Sequence, residues 1–444
     1  MLDFDIGDNQ RLCDGTSRRN FLRLGTLSIL GLSLPTLLRL EAAQAAGKVA
    51  TKAKAKNVLL IYLGGGLTHH DSFDPKPDAP QEIRGKYGVI PTKIAGIRFS
   101  DKMQQMAKIT ELYALVRSQV TGSDHHETAA QWMLTGNYGL MQGGDYPSIG
   151  SIVNHETSPL NALPQYVAIP RNHSFTWELG KAAWLGERHE SFKTGDPTPA
   201  SWKVPNLSLL ADVSESRLAR RGKMLTAIDS LAKKVEASDQ LASMDTFYQR
   251  ATQMILSSEA RQAFDLTKEP EKVQERYGKD YWGRQALLAR RLIENNVRFV
   301  LLNQGGWDHH GNIFPACDSA LPALDRSVSA LLSDMHERGL LAETLVAMYG
   351  DFGRTSKINK DNGRDHWGNA GVMIFAGAGV RGGQIIGTTD ERGEYVVDRA
   401  VRPPEVAATL YHALGIDYNK LLYTPQQRPV SILPECEPVK ELWG

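Results

Sequence analysis

Four short clusters in this sequence combine histidine with aspartate. They are His69-His70-Asp71, Asp124-His125-His126, Asp308-His309-His310 and Asp365-His366. Imidazole and carboxylate are the side chains that bind zinc and related divalent ions, and imidazole also transfers protons near neutral pH. Each cluster follows a predicted strand or a glycine-rich turn. The pattern therefore predicts a polar site that carries metal or acid–base chemistry.

Apolar runs along the chain predict the elements that position these clusters. Continuous runs of this kind are typical of strands that are buried on both faces of a parallel sheet. Between them, Asp318–His336 carries an apolar stripe at helical spacing, and Pro403–Leu414 opens with prolines and ends before a glycine. Alternating strands and helices predict an α/β fold with a mostly parallel central sheet flanked by helices. The predicted strands are Asn57–Leu63, Leu112–Val116, Gln165–Ile169, Val297–Leu302, Leu345–Tyr349 and Val372–Phe375.

Two aspartates in or near these clusters come soon after predicted strands. Asp308 follows Val297–Leu302 and Asp351 follows Leu345–Tyr349. Ligands of open parallel sheets bind beyond the carboxyl ends of the strands, so both carboxylates are expected in one crevice. The alternative for each aspartate is a helix cap or a turn. The glycines at 64–66 have the spacing of neither common nucleotide-binding loop, which argues against a nucleotide site.

Arg354 and Arg364 flank the later clusters. A planar guanidinium suits a bidentate grip on phosphate, sulfate or carboxylate. A surface salt bridge is the alternative for each arginine.

The composition excludes some classes of protein. The 444 residues carry a net charge of +1, which argues against a general nucleic-acid or anionic-membrane binder. The cysteines, Cys13, Cys317 and Cys436, include no CxxC pair, which argues against a zinc ribbon or a thioredoxin-type site. Their spacing neither establishes nor excludes a disulfide between Cys317 and Cys436.

The N-terminal region has the form of a twin-arginine signal. Arg18 and Arg19 precede a moderately apolar stretch at 24–38, and Ala43-Gln44-Ala45 fits a small-residue cleavage site. We therefore expect a signal peptide over 1–45, recognition by the twin-arginine export machinery, and a periplasmic or extracellular location. An amphipathic helix is the alternative, and the apolar stretch is too short for a stable membrane span. Residues 46–56 are predicted to be a linker before a domain over 57–444, with a helical insertion at about 207–295.

Several motifs in order along the chain resemble a known family. They are Gly65-Gly66 with Asp71 to Pro77, His126 with Leu134-Thr135-Gly136, Gly306-Trp307-Asp308, Phe352 to Thr355, Gly363 to Trp367, and Gly387 to Asp390. Together they resemble the twin-arginine-exported, sulfatase-like domain-of-unknown-function family 1501, over nearly the whole chain. The family is similar to the alkaline phosphatase and sulfatase superfamily. The resemblance implies a phosphatase-like α/β sandwich with metals at the strand ends.

The sequence departs from the superfamily pattern at the reactive positions. Gly64 and Gly65 stand where sulfatases carry two aspartates, and the nucleophile position falls on His126. The pair Asp351-Phe352 replaces an Asp-His pair, whereas His366 matches a retained histidine. Either the site is rebuilt around its own histidines, or catalysis is lost and the histidines form a hydrogen-bonded network without metal.

These observations predict an exported, sulfatase-like hydrolase of sulfate or phosphate esters, with polysaccharides as one candidate substrate and a divalent ion, zinc or calcium, as cofactor. The alternative is a non-catalytic protein that binds anionic glycans. His126 is expected to act as base or nucleophile, Thr128 as a second candidate nucleophile, and Arg354 to neutralise the anionic group. Arg364 and Trp307 are expected to contact substrate. The expected metal ligands are Asp71, His69, His70, Asp308, His310, Asp351 and His366.

Overall fold

The apolar runs of the sequence form the strands of one large sheet. A computed structural model describes residues 53–138, 146–170, 181–199, 201–204 and 257–444. The strands are β1 Asn57–Leu63, β2 Val89–Pro91, β3 Arg98–Ser100, β4 Tyr113–Val116, β5 Tyr166–Ile169, β6 Phe192–Lys193, β7 Phe299–Asn303, β8 Thr344–Gly350, β9 Gly353–Arg354, β10 His366–Trp367, β11 Met373–Ala376, β12 Gln384–Ile386, β13 Thr388–Thr389, β14 Val396–Asp398, β15 Leu421–Tyr423 and β16 Pro429–Ser431.

The central sheet has eight strands in the order β12-β4-β11-β8-β1-β7-β5-β6. Strand β1 pairs in parallel with both β7 and β8, and β5 pairs in parallel with β7 and β6. Strand β11 runs antiparallel to its neighbours β4 and β8. The predicted α/β fold with a mostly parallel central sheet is therefore confirmed, and each of the six predicted strands is present with ends shifted by at most two residues.

Helices cover both faces of this sheet. They are α1 Gln81–Arg84, α2 His126–Thr135, α3 Ile149–Glu156, α4 Ser258–Phe264, α5 Glu271–Tyr277, α6 Tyr281–Glu294, α7 Ile313–Glu337 and α8 Pro403–Leu414. Successive side chains of a strand point to opposite faces. In β1, Leu59, Ile61 and Leu63 pack with α6 and α7, whereas Val58, Leu60 and Tyr62 pack with α2, α3 and α8. Both faces of β1 are therefore core, which explains its continuous apolar sequence.

Some predictions fall wholly or partly outside the described residues. The signal peptide expected over 1–45 lies outside them, as does the part of the expected helical insertion between 205 and 256. Residues 257–294 contain helices α4, α5 and α6. Within the described part of the chain, no helix is long and apolar enough to cross a membrane. Cys317 and Cys436 are both free thiols.

Candidate metal centre

The site lies at the carboxyl edge of the three neighbouring parallel strands β8, β1 and β7. Asp351 follows β8 directly, Gly65 lies just beyond β1, and Asp308 lies in the loop after β7. Gly65 has a φ of +104°, and a Cβ atom there would lie 2.7 Å from the backbone nitrogen of Asp308. A glycine is needed at this position because it lets the Asp308 loop approach the end of β1.

Asp308 is at the centre of a group of histidines. Its Oδ1 atom lies 3.1 Å from Nε2 of His366 and 3.1 Å from Nε2 of His310. Its Oδ2 atom lies 3.4 Å from Nε2 of His126. The ligand atoms of His126, Asp308 and His366 all lie within 4.8 Å of one another. His310 contacts Asp308 and His366 of this group, and we call the four predicted site residues His126, Asp308, His310 and His366 the His/Asp cluster.

Nδ1 of each histidine in the His/Asp cluster is hydrogen-bonded to an oxygen atom. A backbone carbonyl or an ionised carboxylate only accepts hydrogen bonds, so each Nδ1 atom carries the proton. Each Nε2 atom, which faces Asp308, then presents a lone pair in the neutral ring. Metal-binding histidines are oriented by outer partners in this same way. The Nδ1 partners, each at 2.7 Å, are Asp351 for His126, Asp365 for His310 and the carbonyl of Asp124 for His366.

The Nε2 atoms of His310 and His366 lie 2.8 Å apart. Two lone pairs at this distance repel each other unless a proton or a metal ion lies between them. Ligand atoms of a four-coordinate zinc ion lie about 3.3 Å apart, since each bond is about 2.0 Å long. The three distances from Asp308 to the histidines and the distance from His310 to His366 are 2.8 to 3.4 Å, which is close to that value. The donor set therefore fits a divalent ion.

Charge and burial favour the forms of these side chains that bind metal. Burial acts to raise the pKa of Asp308, but the hydrogen bond and the positive charge of Arg354 outweigh it and hold that pKa well below its usual range. Burial lowers the pKa of His366, which favours the neutral ring. The ring of Phe352 packs 4.8 Å from the rings of both His126 and His366, and so forms an apolar wall.

Asp351 lies behind the cluster, not in it. Its side chain is fully buried and accepts hydrogen bonds from Nδ1 of His126, from the Tyr62 hydroxyl and from the backbone N–H of Gly65. Burial and the neighbouring Asp351 carboxylate raise the pKa of Tyr62. Asp351 was expected to be a metal ligand. In the structure both of its oxygens accept hydrogen bonds from these donors, and it is not among the described residues whose ligand atoms group together.

Arg354 and Arg364 are both completely buried. The Arg354 guanidinium donates to Asp308 at 2.7 Å and to the carbonyls of Gly66 and Trp307 at 3.0 and 3.1 Å. The Arg364 guanidinium donates to Asp71 at 2.9 Å and to backbone carbonyls. The structure thus places the two arginines, which were expected to contact an anionic substrate, against carboxylates of the protein: Arg354 balances the charge of Asp308, and Arg364 that of Asp71.

Trp307 and Thr128 also lie apart from the cluster's ligand atoms. The Trp307 side chain is 1% exposed, and its Nε1 donates to the carbonyl of Gln304 at 2.8 Å. Trp307, which was expected to contact substrate, is therefore packed inside the protein. Thr128 lies half-buried in the first turn of helix His126–Thr135, and the position before that helix is occupied by His125.

The cluster His69-His70-Asp71 forms a separate buried structure. Nε2 of His69 and of His70 donate to the carbonyls of Gly393 and Arg392 at 2.7 and 2.8 Å. Asp71 accepts from Arg364 and, at 2.6 Å, from Thr68. Among the described residues, these three side chains are not part of a group that could hold a metal ion. The structure therefore places these three expected ligands apart from the His/Asp cluster: the two histidines bind the backbone of residues 392 and 393, and Asp71 pairs with Arg364.

Sequence reasoning missed three participants, Tyr62, Asp124 and Asp365. Asp124 and Asp365 belong to the His/Asp clusters of the sequence, which could have identified them, but neither was assigned a role. Tyr62 is the penultimate residue of an apolar strand, and only the alternation of side chains along β1 could have placed it near Asp351.

Comparisons with known proteins give a family and weak structural similarities. The family described as "Protein of unknown function (DUF1501)" matches residues 55–443. No curated protein is significantly similar in sequence. The crystal structure of Ps i-CgsB is 12% identical, with 82% of this chain and 72% of that chain covered and a TM-score of 0.39. The PsFucS1 sulfatase from Pseudoalteromonas sp. is 13% identical over 89% and 72%, with a TM-score of 0.35.

A third similar structure is a mutant of TAB5 alkaline phosphatase with bound Mg, which is 14% identical over 82% of this chain and 99% of that chain, with a TM-score of 0.35. Similarities at these TM-scores decide neither activity nor substrate.

Proposed function

The chain belongs to the DUF1501 family of proteins of unknown function, and we propose that it is a metal-dependent hydrolase of sulfate or phosphate esters. One observation carries the proposal: three histidines, each with Nδ1 held by an oxygen, direct Nε2 towards Asp308. Because both Nδ1 protons point to oxygen acceptors, a metal-free hydrogen bond between the two Nε2 atoms, 2.8 Å apart, would require one of the rings to carry a second proton.

Zinc is the ion that this donor set favours. Imidazole nitrogen and carboxylate oxygen are common zinc ligands, whereas calcium takes six to eight oxygen ligands. The described cluster offers three imidazoles and one carboxylate. The candidate ligands are His126, Asp308, His310 and His366, of which His126, Asp308 and His366 form the mutually closest group. A catalytic zinc ion takes three protein ligands and keeps the fourth position open for water or substrate. Of the two ions expected from the sequence, we therefore propose zinc.

The cluster has one face open to solvent. The side chains of His310, Asp308 and His366 are 47%, 34% and 21% exposed, whereas His126 is 8% exposed. A divalent ion bound there would polarise an ester oxygen and lower the pKa of a water molecule. Asp351 and Asp365 hold the protons on Nδ1 of His126 and His310, which keeps both rings oriented. Arg354 offsets the charge of Asp308 from the buried side.

His126 acts in this proposal as a ligand and not as a nucleophile. Its ring is buried, its Nδ1 is bound to Asp351 and its Nε2 faces Asp308. A covalent nucleophile needs an open path to the ester, and the exposed face of the cluster is formed by His310 and Asp308 instead. The proposal therefore departs from the role that the sequence resemblance implies for this position.

One observation favours a second candidate, a non-catalytic protein that binds anionic glycans. Arg354 and Arg364, the arginines expected to contact the anionic substrate, are fully buried and occupied by protein acceptors. Neither of these two guanidinium groups is therefore available at the open face to neutralise an ester during turnover, and binding without turnover is the alternative. The two candidates differ in one measurable property, the hydrolysis of an ester.

The test is hydrolysis of an aryl sulfate and an aryl phosphate by purified protein loaded with zinc. The proposal predicts turnover of at least one ester, and a loss of at least about a hundredfold in Asp308→Asn, the order of effect that follows from removing a charged group from a catalytic site. Asp78→Asn is the matched control, because the Asp78 side chain is 94% exposed and pairs with Arg98 at 3.6 Å, away from the cluster. Turnover that is absent from the wild type, or equal in Asp308→Asn, would contradict the proposal.

We also propose export by the twin-arginine route. Its support is the order of Arg18-Arg19, an apolar stretch and Ala43-Gln44-Ala45 in the sequence. Replacing both arginines with lysine should retain the protein in the cytoplasm, as measured by cell fractionation. Unchanged export would refute this part of the proposal.

A further inference from the structure

A cavity of about 370 Å³ adjoins the His/Asp cluster. Its volume lies within the range of about 300–1,000 Å³ that is usual for small-molecule sites. Asp365 connects the two: it lines the cavity, and its Oδ1 atom accepts from Nδ1 of His310 at 2.7 Å. A molecule bound in the cavity would therefore lie next to the open face of the cluster.

The cavity wall contains a fixed aromatic ring. Trp367 lines the cavity and its Nε1 donates to the carbonyl of Glu394, which also lines it. The ring of Tyr395 packs against Trp367 edge to face at 5.4 Å and is 49% exposed. A sugar ring presents an apolar C–H face together with hydroxyl groups. The fixed indole ring of Trp367 can pack against the apolar face of a sugar, and the neighbouring carboxylate, amide and hydroxyl groups can bind its hydroxyl groups.

One lysine of the cavity is available for an anion. Lys357 is exposed, and its amino group has no ion pair or hydrogen bond with any residue that the structure describes. Lys360, which also lines the cavity, pairs with Asp361 at 3.0 Å. Asp365 is occupied by His310 and by Asn359. The free cation in the cavity is thus Lys357, at least among the described side chains.

Asn359 joins the cavity to the cluster. Its Nδ2 atom donates to the carbonyl of His310 at 2.9 Å and to Oδ1 of Asp365 at 3.2 Å. Its Oδ1 atom accepts from the backbone N–H groups of Asp361 and Gly363 at 3.0 and 2.9 Å. These four bonds fix the loop that carries Lys357 relative to His310. A molecule in the cavity would be held at a defined distance from the proposed metal ligands.

We propose that this cavity is the binding subsite for a sugar ring that carries an anionic substituent, with Lys357 as the residue that recognises the charge. The sugar would be the part of the ester substrate that the cluster does not contact. That the bound sugar is part of a substrate rests on the proposed function. The binding of the sugar itself does not require turnover.

The test measures binding by titration calorimetry with zinc-loaded protein. The probes are N-acetylglucosamine 6-sulfate, N-acetylglucosamine 6-phosphate and unsubstituted N-acetylglucosamine. The wild type should bind at least one charged sugar about tenfold more tightly than the unsubstituted one, or more, because Lys357 would add a charge-assisted hydrogen bond. Lys357→Ala should raise the Kd of the charged sugar about tenfold for the same reason, and Lys357→Arg should restore binding. Lys93→Ala removes the same charge at an exposed site outside the cavity, where Lys93 pairs with Glu111, and should leave binding unchanged.

Failure of this inference and failure of the proposed function give different results. Binding of the charged sugar that depends on Lys357, without hydrolysis of any ester, supports the subsite and overturns the hydrolase. Hydrolysis of aryl esters with equal Kd values for wild type and Lys357→Ala overturns the subsite. No binding of any of the three sugars to the wild type also overturns the subsite.

Discussion

The Nε2 atoms of His310 and His366 face each other at 2.8 Å, and Oδ1 of Asp308 lies 3.1 Å from both. The carbonyl of Asp124 accepts from Nδ1 of His366, so the proton of that ring is on the far side. Asp365 occupies Nδ1 of His310 in the same way. The facing atoms therefore need a positive charge between them, which a proton or a metal ion can supply, and we assign that charge to a metal ion.

Asp351→Asn should weaken zinc binding without removing a ligand. The asparagine keeps the shape of the side chain but loses the charge that orients His126 through its Nδ1–H. Changes at such outer partners usually reduce metal affinity about 10- to 100-fold. Competition with a chromophoric chelator measures the affinity. Asp78→Asn serves as the exposed control, and an affinity equal to that of the wild type in Asp351→Asn would show that Asp351 does not orient the ligand.

Gly65→Ala should destabilise the protein more than Gly96→Ala does. Both glycines have positive φ, +104° and +78°, so each substitution strains the backbone. A Cβ atom at Gly65 would also lie 2.7 Å from the nitrogen of Asp308, whereas one at Gly96 meets nothing within 4 Å. The expected extra loss in free energy of unfolding is about 1–3 kcal/mol. Equal losses in urea unfolding would mean that the Asp308 loop tolerates the added atom.

His70→Ala should lower stability and leave zinc content unchanged. His70 is buried, and its Nε2 donates to the carbonyl of Arg392, so the substitution leaves a cavity and an unsatisfied acceptor. The expected cost in free energy of unfolding is about 2–4 kcal/mol. Thermal unfolding and elemental analysis of the same sample provide the two readouts. Loss of zinc from folded His70→Ala protein would restore the ligand role that the sequence predicted for His70.

Asp325 should make the wild type less stable as the pH rises. Its buried carboxyl accepts from the backbone N–H groups of Gln105 and Met106, and burial raises its pKa to about 6. Because the folded pKa exceeds the unfolded value of about 3.9, this contribution is present below about pH 4 and is lost as the pH rises through about 6. The free energy of unfolding of the wild type, minus that of Asp325→Asn, should fall by about 3 kcal/mol between about pH 4 and pH 7.

Urea unfolding of both proteins at several pH values measures this difference. Titratable groups that the two proteins share contribute equally to both free energies of unfolding and cancel in the difference. The asparagine does not titrate, so the remaining pH dependence is that of Asp325. A difference that is constant, or that grows with pH, would contradict the prediction.

The sequence was sufficient to predict the framework of the site. Strands β1, β7 and β8 are largely buried on both faces, so their residues form the continuous apolar runs that a core strand of a parallel sheet requires. It was not sufficient for the edge strands: β12 has only Gln384, Ile385 and Ile386, and β6 has only two residues. Short edge strands bury too little to show a pattern.

The site could be predicted as a composition but not as a set of contacts. Asp308, His310, His126 and His366 were all expected to take part, because they follow strands or match the family motifs. His69 and His70 share the same composition, yet their rings turn to the carbonyls of Gly393 and Arg392, more than 300 residues away in the chain. Which histidine cluster faces Asp308 is decided by these long-range contacts, which no local pattern records.

The most direct test of the metal centre is the zinc content of purified protein. Metal-free wild type, Asp308→Asn and His366→Ala are dialysed against the same dilute zinc buffer and measured by elemental analysis. His336→Ala is the matched control, since His336 is exposed and lies outside the His/Asp cluster. We predict one zinc per chain in the wild type and in His336→Ala, and a loss of most of it in the two cluster variants. Equal zinc contents in all four proteins would contradict the assignment of a metal ion to this cluster.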